Sequence, residues 1–267
     1  MVLLRSSLFT FELRRNKEIK VAIHKTEAIV LKTQNFRQTS LLVNFYSRDF
    51  GKLSGLLKGV RQNPEKFNSS VDTFSFNEII FYQSTKSSLH LVSQCDLKKD
   101  FRAIKNNLDK MKKAFSLLEL VNLLTVAEDK NVQIFELMLS CLEEINNNFD
   151  IDKILIIFKI KLLDYCGFKP HIDSCVACGD KIISQARFSF KLGGLLCDRC
   201  ASKDIKSRNV FRGSVASILY IEKNDFGSVL RLGMNHEIKK ELNQILDAFL
   251  EFHLGKISKS EKVFEVV

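Results

Sequence analysis

No stretch of the chain approaches the ~20 consecutive apolar residues needed to span a bilayer, so a membrane span is not expected. The first 20 residues, which begin MVLLRSSLFTFELRR, have a short apolar part, charges after it and no small-residue cleavage site. They do not read as a signal peptide. Nucleotide and catalytic signatures are missing as well: there is no Walker A sequence, G-x-G-x-x-G, G-x-S-x-G or H-E-x-x-H. The five histidines (24, 90, 171, 236 and 253) are dispersed, which argues against a histidine metal site. No repeat of solenoid period and no long low-complexity tract is present. Together these absences point away from an enzyme and toward a binding protein.

What is present is basic charge and paired cysteines. Forty-one Lys and Arg against 31 Asp and Glu give +10, with a pI near 9.2, over 267 residues. Such a balance favours a polyanionic partner. Residues 1–100 hold 16 basic and 9 acidic residues, a net of +7, and residues 101–267 hold 25 and 22, a net of +3. The front of the chain is therefore the better phosphate-binding candidate. Seven cysteines, three of them scattered among apolar neighbours (Cys95, Cys141, Cys166), suit a reducing, cytoplasmic setting.

The other four cysteines form two C-x-x-C knuckles. Cys175-Val176-Ala177-Cys178 and Cys197-Asp198-Arg199-Cys200 are separated by 18 residues. Two knuckles at this spacing supply four thiolates for one tetrahedral structural zinc ion. Gly193-Gly194 between apolar runs predicts a hairpin that delivers the second knuckle. A thioredoxin-type site would need a βαβ setting, and none is visible. A nucleobase deaminase would need an H-x-E motif and a Pro before the knuckle, and both are absent. Four cysteine ligands leave no open position for catalysis. His171, four residues before Cys175, reads as a loop residue or a neighbour of the ligands.

Periodicity divides the chain. Short alternating segments separated by turns run from Thr26 to about residue 100 and predict five strands. Gly51 is expected at positive φ in a turn. Gly55 and Gly59 suggest a bend or close backbone approach, and a slip of apolar phase near Asn77-Glu78 suggests a bulge. A small five-stranded barrel of the OB type is the economical fold, with an SH3-like barrel as the alternative. After residue 100 the period becomes helical. Stripes begin at Leu108 and Val132, with Glu128-Asp129 as a start signal for the second helix, and residues 151–163 are apolar on nearly every side. Further helices are expected near 213–221 and 235–254.

The expected organisation is a multi-domain α+β protein. Residues 22–100 form an OB-type barrel, 101–170 the first part of a helical domain, 171–204 an inserted four-cysteine zinc module, and 205–267 the rest of the helical domain. Residues 1–21 are an extension. Candidate phosphate contacts on the barrel are Arg37, Arg48, Lys52, Lys58, Arg61 and Lys66, and Phe36, Phe50 and Phe67 are candidate base-stacking rings. Two other functions fit the same composition: a different barrel-plus-zinc-ribbon nucleic-acid-binding protein, acting in RNA metabolism or transcription, and a thiol oxidoreductase using the knuckles.

The order of several motifs resembles the bacterial recombination mediator family RecO. They are Thr26-Glu27-Ala28-Ile29-Val30-Leu31, Tyr46 to Gly51 followed by Lys52-Leu53-Ser54, Lys58-Gly59-Val60-Arg61, Phe101-Arg102, Gly167-Phe168-Lys169-Pro170, the Cys-Gly end of the first knuckle, Phe188, and Gly193-Gly194. The resemblance spans about residues 22–255. It implies an OB-fold, a helical domain and a zinc module in a nucleoid-associated, non-enzymatic protein. Such a protein binds single- and double-stranded DNA, anneals complementary strands, contacts the C-terminal tail of single-strand-binding protein (SSB), and works with RecR to load RecA. Two departures from the family pattern stand out. Residues 1–20 look extra, and Val21 is the expected start if read from a GTG codon. Gln38-Thr39-Ser40 stands where the family often carries Glu-Thr-Asp.

Overall fold

The computed structural model of the protein describes residues 22–60, 62, 71–147, 150–183 and 185–254. The N-terminal extension and the candidates Arg61, Lys66 and Phe67 lie outside the described residues.

Five strands close a barrel: β1 (Ile23–Phe36), β2 (Ser40–Ser47), β3 (Gly51–Leu57), β4 (Ser75–Tyr82) and β5 (Leu89–Asp100). Their order is β1-β2-β3-β5-β4, with the long β1 pairing β2 through its second half and β4 through its first. All these pairings are antiparallel except β3 with β5. This closed Greek-key arrangement is the OB topology, in which each of the five strands has a neighbour on both sides. Alternating side chains fill the interior, among them Val30, Val43, Phe45, Leu53, Ile79 and Phe81.

The expected bulge in β4 is not there. Burial along β4 alternates without a slip, placing Ser75, Asn77, Ile79 and Phe81 inside the barrel. The extra residues sit on the partner strand β5: Phe76 and Asn77 oppose Lys99 and Leu97, and Ile80 and Phe81 oppose Gln94 and Val92. The apolar pattern of the sequence slips because Phe76, on the outer face, is covered by the helical domain, where its ring meets Phe135 edge-on at 6.2 Å. Inside, polar Asn77 donates to the Ser75 hydroxyl at 2.8 Å.

The helical domain begins with α1 (Arg102–Lys105) and α2 (Leu108–Leu124), capped by the Asn107 side chain. Next come α3 (Val132–Asn147) and α4 (Ile151–Tyr165). The helix α3 starts from Asn131, whose side chain accepts from the Ile134 N–H at 3.1 Å, and not from Glu128-Asp129. Those two belong to the α2–α3 loop, where Glu128 has φ 58°. The α4 helix ends in a Schellman turn, in which Gly167 takes φ 74° and the Phe168 N–H reaches Leu163 O at 2.8 Å. As the apolar pattern predicts, α4 is central. Its two buried lysines, Lys159 and Lys161, are only 5% and 6% exposed and end on partners. Lys159 pairs with Asp247, and Lys161 donates to Glu222 O and Asn224 O at 3.1 and 2.7 Å. Cations at carbonyls that end a helix satisfy orphan acceptors and complement the dipole.

Between α4 and the remaining helices lies a three-stranded sheet, β7 (Gly194–Leu196), β6 (Ala186–Ser189) and β8 (Arg208–Val210), with a 3-10 helix at Asp198–Lys203. Its third strand reaches past residue 204, because Arg187 ties β6 to Ser207 and Asn209. The chain then forms α5 (Arg212–Lys223), α6 (Phe226–Leu230) and α7 (His236–Leu254). One continuous core joins these helices, the sheet residues Phe188 and Leu195, and the outer barrel residues Ile29, Leu31 and Tyr46. Among the described residues no helix is long and apolar enough to cross a membrane.

Candidate metal centre and nucleic-acid interface

The first knuckle is shaped by backbone bonds. Gly179 at φ 79° lets its N–H reach Cys175 O at 2.8 Å, and the Cys175 N–H reaches Asp180 O at 2.9 Å. The second knuckle leaves the β6–β7 hairpin directly, with Cys197 N-terminal to the 3-10 helix and Cys200 within it. The Val176 N–H donates to Leu195 O at 2.8 Å, so the hairpin places one knuckle against the other, as the Gly193-Gly194 pattern predicts. Arg199 pairs with Asp180 across the two knuckles.

The four sulfurs lie within 4.8 Å of one another, and Cys178 Sγ and Cys197 Sγ are 3.8 Å apart. A tetrahedral ion with metal–sulfur bonds of about 2.3 Å requires sulfurs about 3.8 Å apart, so this donor set fits a four-coordinate metal. Burial pushes the Cys175 thiol up, but N–H groups of Cys197, Ala177 and Cys178 directed at its sulfur bring it down to about 6. The Asp180 N–H pulls the Cys178 thiol down, but its contacts with the other sulfurs push it up to about 12, and burial raises the Cys200 thiol. Cys175, Cys197 and Cys200 are buried and Cys178 is exposed. His171 is outside the cluster; its ring bonds Ser174 Oγ at 2.7 Å and its backbone bridges Gly194.

The barrel candidates separate into two groups. Arg37, at φ 54° in the β1–β2 turn, is exposed, and its guanidinium lies 5.4 Å over the Phe36 ring. Lys58 follows the last residue of β3 and is exposed. The pairings Phe36 with Ser40 and Leu41 with Leu57 put both cations at one end of the barrel.

Arg48 and Lys52 are instead used inside the molecule. Arg48 bonds Glu27 at 3.0 Å and Glu136 of α3 at 2.5 Å, and lies 5.9 Å over Phe135. Lys52 donates to Asn122 O and Thr125 O, at 2.8 and 2.9 Å, where α2 ends, and burial lowers its pKa. Both clasp the barrel to the helical domain. Phe50 is likewise committed: its ring packs against His24 and Phe81, at 4.7 and 5.3 Å, and closes the other end of the barrel. Sequence reasoning passes over Lys86, an exposed cation in the β4–β5 loop. Its one signal is its place in a polar turn.

Comparison with known proteins agrees with the fold. The profile described as "Recombination protein O N terminal" matches residues 21–101, and "Recombination protein O C terminal" matches residues 105–262. Proteins named "DNA repair protein RecO" are similar over most of their length. That of Syntrophus aciditrophicus is 29% identical, covering 92% of this chain and 96% of its own. That of Alkaliphilus metalliredigens is 28% identical, with 88% and 95% covered, and that of Bacillus pumilus is 28% identical, with 89% and 92%. The barrel, the helices and the cysteine module thus follow one another as the sequence resemblance implies, and the chain belongs to the recombination protein O family.

Proposed function

We propose that this protein is a mediator of DNA repair by homologous recombination. It binds single- and double-stranded DNA, anneals complementary strands, and with RecR helps load RecA onto DNA coated by SSB, whose C-terminal tail it contacts. The observation that carries this reading is the family match across both parts of the chain, on a closed OB barrel. Binding and assembly, with no covalent chemistry, account for the role.

On this reading DNA meets the barrel end that carries Arg37 and Lys58, with Phe36 beneath Arg37 as the ring nearest the strand. Phosphate neutralisation there is independent of sequence and sensitive to salt. Arg48 and Lys52 act by holding the barrel on its helical support. The cysteine cluster binds one zinc ion, which is structural: four sulfur ligands leave no position for water or substrate. The protein works in the cytoplasm, at the nucleoid.

The test is strand annealing on SSB-coated complementary oligonucleotides. Arg37→Glu with Lys58→Glu is expected to slow annealing and weaken binding to all sequences alike. Unchanged annealing would remove the barrel end from the DNA path. Annealing absent from the wild-type protein would overturn the functional reading.

A further inference from the structure

A groove of about 820 Å³ runs between the cysteine module and α7. Its apolar floor includes Phe190 of the β6–β7 hairpin and Ala248 and Phe252 of α7. Ile205 is 90% exposed and Phe252 56% exposed, unusual values for such side chains. Four cations line it: Lys191, Lys203, Lys206 and Arg208. All four are exposed, and among the described residues none has an ion-pair partner. The acidic groups there are Asp204 and Glu251. Asp204 is already turned inward, accepting from the Ser189 hydroxyl and the Lys206 N–H at 2.6 and 3.0 Å. The groove therefore presents a net positive field.

We propose that this groove is a second binding site for single-stranded nucleic acid, separate from the barrel. Two features favour a polynucleotide over an acidic peptide. The Arg208 guanidinium lies 5.5 Å over the Phe190 ring, and an exposed guanidinium stacked on an aromatic is a flat platform on which a base stacks. The exposed Phe252 ring and Ile205 side chain offer further apolar faces for bases, while the lysines meet phosphates. An acidic peptide would use the cations but leave these faces idle. The cysteine cluster positions the site, because the 3-10 helix that carries Cys200 ends at Lys203. The proposal rests on the annealing role above and deepens it: one chain that holds a strand at the barrel and another in the groove brings two strands together without a second protein molecule.

The experiment uses the full, metal-loaded chain and a labelled oligothymidylate of about 15 nucleotides, within the range one OB fold covers. Wild type is expected to bind two strands per chain by sedimentation. Lys203→Glu with Lys206→Glu is expected to bind one, to lose about 1.4 from the slope of log K against log salt, as two lost phosphate contacts on a single strand require, and to anneal at least tenfold more slowly. Circular dichroism and metal content check folding, with Lys203→Ala/Lys206→Ala as the milder pair. One strand bound by wild type, or two still bound by the folded charge-reversed variant, overturns the proposal. So does an Asp-rich, Phe-ending peptide that binds wild type and not the variant while nucleic-acid stoichiometry is unchanged. Arg37→Glu/Lys58→Glu is run beside them, and its failure to change binding would count against the barrel reading alone.

Discussion

Gly51 carries the junction between barrel and helical domain, and replacing it with alanine measures that junction. Its φ of 63° lies in the left-handed region, where a side chain costs roughly 1–2 kcal/mol. A Cβ there would also sit 2.0 Å from Asp129 O in the α2–α3 loop, a distance no pair of non-bonded atoms sustains. The loop must retreat by about 1 Å. That movement strains the Glu128 N–H bond to Lys52 O (2.9 Å), the Lys52 bond to Thr125 O and the Lys130 pair with Asp49 (3.1 Å). Losing one or two net hydrogen bonds adds about 1–2 kcal/mol. The expected total is about 2–4 kcal/mol. Gly59 is the internal control, with φ 75° but, among the described residues, nothing within 4 Å of its would-be Cβ, so Gly59→Ala bears the conformational cost alone. The chain has no tryptophan, so unfolding is followed by far-ultraviolet circular dichroism and calorimetry. At about 2–4 °C per kcal/mol for a chain near this size, Gly51→Ala lowers Tm by several degrees more than Gly59→Ala. Equal effects of the two substitutions would refute the packing argument.

Cys175→Ser or Cys197→Ser is expected to abolish stoichiometric metal and reduce soluble yield, since a structural zinc site contributes on the order of 10 kcal/mol to folding its module; a stable, soluble variant measured by elemental analysis would contradict this. Protons compete with the metal for all four sulfurs, so metal retention falls as the pH is lowered, read by a chromogenic chelator; retention that does not change with pH would contradict thiolate ligation. Lys161→Met removes the donor for Glu222 O and Asn224 O, and α5 is expected to fray first at its C-terminal end in hydrogen exchange. Protection there equal to wild type would show that the carbonyls find other partners. Arg48→Met is expected to leave DNA affinity unchanged while loosening the contact with α3, because Glu27 and Glu136 already hold the guanidinium; a drop in affinity in a salt titration would return Arg48 to the DNA surface.

What the sequence made legible was local. The knuckles, the Gly193-Gly194 hairpin, the end of α4 at Gly167 and the alternation of the strands each depend on a few consecutive residues, and each is found where the pattern put it. What it concealed depends on contacts across domains. Arg48, Lys52 and Phe50 look like a basic, aromatic strand-turn-strand because composition counts charge and does not show what consumes it. The Phe50 ring is taken up within the barrel by His24 and Phe81, on strands distant in sequence, while the closing of the barrel against α2 and α3 turns the two cations into clasps. The same contact explains the misplaced bulge, since Phe76 is partly covered by a helix more than fifty residues away and breaks the pattern that a free barrel surface would show. Lys58 on the barrel and Lys191, Lys203 and Lys206 beside α7 have no ion-pair partner among the described residues, and they stand out only when the paired cations are removed. A charge that folding has not already used is the one left to meet a phosphate.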